Sequence, residues 1–111
     1  MPDSLPSWIS TEQFAVLADI LEAMNRAQLP FQATGGLAGN LHGSVWPLHD
    51  LDFDVAPPLL SRMATEFRAQ VVYGPAPFRD EEFALDLLTL RFGSVDVADL
   101  VTLSGARHVP G

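Results

Sequence analysis

Asp50, Asp52 and Asp54 alternate with Leu51, Phe53 and Val55. Alternation at period two predicts a half-buried strand, with the acids on one face and the hydrophobes on the other. Same-face neighbours on a strand lie about 7 Å apart, within reach of one shared cation. Like charges on one strand face repel, and Asp is a poor strand former. A divalent cation removes that cost, and Mg²⁺ or Mn²⁺ suits carboxylate oxygen. A solvated edge-strand face is the plainer alternative for the same pattern.

Upstream, Thr34-Gly35-Gly36 follows the short apolar segment 31–33 and precedes the helix-compatible run 37–42. This reads as strand, glycine turn, helix. Glycine allows positive φ and close approach of a ligand to the backbone. The first N–H groups of the following helix are unpaired and suit a phosphate. A phosphate cradle followed by a carboxylate strand is a ground plan for metal-assisted phosphoryl or nucleotidyl transfer.

Gly35-Gly36, His42-Gly43-Ser44 and Pro47-Leu48-His49-Asp50-Leu51-Asp52 together resemble the signature of the polymerase-β-type nucleotidyltransferase superfamily. The likeness is to its branch of minimal nucleotidyltransferases, toxin-like members and antibiotic adenylyltransferases, and spans residues 31–99. It implies an α/β fold: a small mixed twisted sheet with helices mainly on one face. It implies transfer of a nucleoside monophosphate from a nucleoside triphosphate to a hydroxyl acceptor. Asp50 and Asp52 would hold Mg²⁺ or Mn²⁺, and Gly35, Gly36 and Ser44 would hold the phosphates. The family's third acid sits on a later strand. Gly93-Ser94-Val95-Asp96-Val97 looks like that element, which makes Asp96 the third metal ligand and the residue that activates the acceptor. Asp52/Asp54 is a competing choice for the metal pair, Asp86 is the alternative third acid, and Asp99 reads as a cap on the next segment. Trp46 stands where many relatives carry Arg. That departure favours a rival reading, a non-catalytic nucleotide- or protein-binding module of the same fold. A toxin–antitoxin component with a protein partner is a further rival.

The chain has 111 residues, 48% hydrophobic and 18% charged, which fits a single globular domain spanning 1–111. Relatives of this type usually continue into further helical structure, so a trimmed domain is open at this stage. Fourteen acids oppose six arginines, for a net charge of −8, and there is no lysine. Such a surface repels nucleic acid, so no DNA partner is expected. With no cysteine there is neither a disulfide framework nor a thiolate metal site. No apolar run of membrane-spanning length and no signal peptide is visible, so no membrane association is expected and a cytoplasmic location is the default.

The elements that must position these residues follow from pattern. Ser10-Thr11-Glu12-Gln13 has the form of a capping box opening a helix to about Gln28, with Phe14, Leu17, Leu21 and Met24 as its apolar stripe and Ala18 and Ile20 beside it. Pro57-Pro58 starts a second helix with Leu59, Leu60, Met63 and Phe67 inward, running to about Ala69. Val71, Val72 and Tyr73 form a short strand, followed by a loop at Gly74-Pro75-Ala76-Pro77 and a solvated stretch at 79–82. Residues 83–92 and 95–98 form an antiparallel hairpin about Gly93-Ser94, and 100–103 open another helix. His49 reads as surface or packing, and His42 and His108 as structural or solvent-exposed. Trp46 is either a lid over a base or a packing residue.

Overall fold

The computed structural model describes residues 5–79, 84–93 and 96–102. His108, Arg107 and residues 80–82 lie outside the described residues, as does Ser94 of the hairpin turn. The elements in chain order are α1 (Thr11–Ala27), β1 (Phe31–Thr34), α2 (Gly35–Leu41), β2 (Leu51–Val55), α3 (Pro57–Glu66), a single 3-10 turn (Arg68–Gln70), β3 (Val71–Arg79), β4 (Ala84–Phe92) and β5 (Asp96–Thr102). They build a mixed α/β fold with one five-stranded sheet in the order β1-β2-β5-β4-β3. β2 and β5 run parallel, and the other three pairings are antiparallel.

Local chemistry sets the helix ends. Ser10 and Gln13 form the reciprocal capping box, at 3.0 and 2.9 Å. Gln28 closes α1 in the left-handed region at φ 59°, just ahead of Pro30. The prolines of α3 occupy its first turn, where a missing N–H costs nothing. The helices lie on the sheet face that carries Leu51, Phe53, Val55, Leu88, Leu90, Ala98 and Leu100, all buried. Phe31 meets Phe53 edge-to-face at 6.3 Å, and Phe67 meets Phe92 at 5.4 Å. No helix among the described residues is long and apolar enough to cross a membrane.

Three expectations are corrected. The inward edge of α1 is Val16, Ile20, Ala23 and Met24, while Phe14 is exposed and Leu17 and Leu21 are only partly covered. Leu17 and Leu21 instead face an apolar cleft shared with Leu37 and Leu41 of α2, so the helix is rotated from its simplest hydrophobic stripe. Residues 74–77 are strand, not loop: β3 absorbs its glycine and prolines through two register shifts against β4. Gly74 has φ +82°, and a Cβ there would collide with the Leu87 carbonyl oxygen, so the close pairing requires glycine. Residues 100–102 continue β5, because the strand is central and both its edges are paired, to β2 and to β4.

Candidate functional site

The alternation in β2 has the consequence its pattern predicts. Leu51 and Phe53 are each 1% exposed, while Asp52 and Asp54 emerge half-buried on the helix-free face. Pairing then fixes what stands beside Asp52. Thr34 of β1 is its partner on one side and Asp99 of β5 on the other. Thr89 of β4 is in turn opposite Asp99. Thr34, Asp52, Asp99 and Thr89 therefore form one row across four strands, each about 4.8 Å from the next. The Thr89 hydroxyl donates to Asp99 Oδ1 at 2.7 Å.

The glycine turn lies directly against this row. β1 ends at Thr34, and Gly35 turns the chain into α2 with φ +57°. A Cβ on Gly35 would fall 2.6 Å from Asp52 Oδ2, so only a bare backbone fits beside that carboxylate. Thr34 makes no side-chain capping bond, which leaves the first N–H groups of α2 without that partner. Gly36 has no positive φ, and a Cβ there would have open space around it.

Electrostatics single out Asp52. Its pKa is raised from 3.8 to about 6, mainly because burial penalises the charged form, then because of the charges of Asp99 and Asp50. Asp50, in the segment leading into β2, is exposed. Among the described residues no three His, Asp or Glu side chains converge into a ready-made metal shell.

Of the residues singled out in the sequence, the structure sets Gly35 against Asp52 and pairs Asp99 beside it, with Asp50 two residues upstream. Asp96 opens β5 opposite Phe92, about 10 Å along the strand from Asp99 and ahead of the stretch that pairs with β2. Asp86 is opposite Thr102, three residues from Thr89. Ser44 follows α2 and folds back beside Gly39, about 6 Å of helix from Gly35. Its hydroxyl accepts from the Trp46 N–H at 3.2 Å, and its own N–H donates to the Gly39 carbonyl at 2.9 Å. Asn40 is buried and donates to the carbonyls of Ser44 and Trp46, at 3.0 and 2.8 Å. These bonds staple the loop and leave the Trp46 side chain 78% exposed. His42 and His49 are exposed.

Asp99 escapes a reading that ends its strand at Ala98. The signal was present: Ala98, Leu100 and Thr102 are all buried, the same period-two pattern as β2, which sets Asp99 on the acid-bearing face.

No protein-family model matches the chain, and no curated protein matches it with significance. Among solved structures, a crystal structure from Thermotoga maritima described as a candidate nucleotidyltransferase superposes with a TM-score of 0.72 at 18% sequence identity. The match covers 86% of this chain and 57% of the other, so the chain spans little more than half the length of that protein. The likeness is one of fold: a nucleotidyltransferase-like arrangement of sheet and helices.

Proposed function

We propose that the chain is a nucleotidyltransferase domain of the polymerase-β-type superfamily that transfers a nucleoside monophosphate from a nucleoside triphosphate to a hydroxyl acceptor. The observation that carries this reading is the contact between the Gly35 turn and Asp52, with Asp99 beside it in the parallel ladder. That places helix-start N–H groups, which suit phosphate, against carboxylates, which suit a divalent cation. Asp50, Asp52 and Asp99 are the residues that would hold Mg²⁺ or Mn²⁺. All are hard oxygen donors, and a cation there would offset the burial and the Asp99 and Asp50 charges that raise the pKa of Asp52. When bound, the metal supplies charge neutralisation for the attacking and leaving oxygens. Asp99 takes the part that the sequence suggested for Asp96. The backbone of Gly35 and Gly36 orients the β- and γ-phosphates. Asp99 orients the acceptor hydroxyl and receives its proton. The hydroxyl oxygen bonds to the α-phosphorus, the bond from that phosphorus to the bridging oxygen breaks, and pyrophosphate leaves.

The test is incubation with each labelled nucleoside triphosphate, Mg²⁺ and a cell extract, with Asp52→Asn as control. Label transferred by wild type and lost in the variant supports the reading. Nucleotide that is bound without turnover supports the alternative, a non-catalytic nucleotide- or protein-binding module. The exposure of Trp46, where many relatives carry a basic residue, favours that alternative. A toxin–antitoxin component with a protein partner is a further alternative, tested by co-purification from the native host.

A further inference from the structure

We infer that Thr89 is a positioning residue that holds the Asp99 carboxylate in its cation-binding orientation; this rests on the reading of the acid row given above. A carboxylate on a strand rotates about two side-chain torsions and, left free, samples several orientations. The Thr89 hydroxyl restricts that freedom. It stands directly across from Asp99 in the β4–β5 ladder and bonds Oδ1 at 2.7 Å. One oxygen is thereby held toward β4, and Oδ2 is left free of that bond to serve a cation.

The β-branched Thr89 has few side-chain rotamers, and it sits half-buried on a strand paired on both sides. Its hydroxyl is therefore a stiff anchor. A hydroxyl has a single proton to donate, and here it goes to the carboxylate. Thr89 needs no contact with substrate for this role. It acts by fixing the orientation of a ligand, as the outer hydrogen-bonding partners of metal ligands generally do.

The experiment is titration of the full chain with Mn²⁺ alone, followed by calorimetry, for wild type, Thr89→Val, Thr89→Ser, Asp99→Asn and Asp52→Asn. Thermal melts confirm that each variant is folded. Thr89→Val keeps shape and β-branching but has no donor, and should weaken Mn²⁺ binding about tenfold. Thr89→Ser keeps the hydroxyl and should stay within about threefold of wild type. Wild-type affinity in Thr89→Val, with binding lost in Asp99→Asn, overturns the positioning role and leaves the metal reading standing. Equal loss in Thr89→Val and Thr89→Ser also overturns it, since loss in a variant that keeps the hydroxyl shows that the hydroxyl bond is not what holds the site. Wild-type affinity in Asp99→Asn and Asp52→Asn, or no binding by wild type, overturns the metal reading and this inference with it.

Discussion

Replacing Asp52 by Asn should stabilise the metal-free protein at neutral pH while removing any transfer activity. Asn has nearly the same shape and no charge, so the variant escapes both the burial cost and the repulsion from Asp99 and Asp50. The folded-state pKa of Asp52 is about 6 against 3.8 in the unfolded chain. Between those values the folded state binds more protons than the unfolded state, so stability falls as pH rises through the window. The deficit is absent below about pH 4 and complete above about pH 6. A rise of that size corresponds to at most about 3 kcal/mol. Asp52 is only half-buried, and screening by solvent brings the expected value to about 1–2 kcal/mol. For a chain of 111 residues that is a gain of about 5–10 °C in Tm. The assay is thermal or urea unfolding of both proteins in chelator-containing buffer from pH 3.5 to 8. Other carboxylates titrate in both proteins and largely cancel in the difference. A difference that stays flat with pH, or a wild type more stable than the variant at pH 7.5, refutes the reasoning. Mg²⁺ or Mn²⁺ at about 100 times its dissociation constant should stabilise wild type by about 2.7 kcal/mol. NaCl at matched ionic strength should do less, because screening lacks coordination.

The two glycines of the turn should respond oppositely. Gly35→Ala meets both a positive φ and the Asp52 carboxylate, and should cost about 2 kcal/mol or more in chemical denaturation. Gly36→Ala meets open space at a helix start and should be neutral or stabilise by up to about 1 kcal/mol. Asn40→Ala strands the carbonyls of Ser44 and Trp46 and should cost about 1–3 kcal/mol, with faster hydrogen exchange at the Ser44 and Trp46 amides.

The parts of the fold legible in the sequence are those governed by neighbours along the chain. The capping box at Ser10, the proline start of α3 and the acid–hydrophobe alternation of β2 each depend on a few adjacent residues. The β4–β5 hairpin follows from two apolar runs about a glycine. Asp99 was less accessible because its significance comes from a parallel partner 47 positions earlier, which no local pattern announces. The continuation of β3 past Tyr73 was hidden by turn-forming residues that a bulged strand tolerates.

The sheet order has a consequence for how the protein is made. β5 is the last described strand to leave the ribosome, yet it occupies the middle of the sheet, between β2 and β4. Until it emerges, the nascent chain holds two separate ribbons, β1–β2 and β3–β4, each with an unpaired inner edge. Such edges invite pairing with other chains. Inserting β5 closes both edges in one event and brings Asp99 beside Asp52 at the same moment. A nascent chain stalled before that strand keeps both inner edges open and lacks Asp99 beside Asp52.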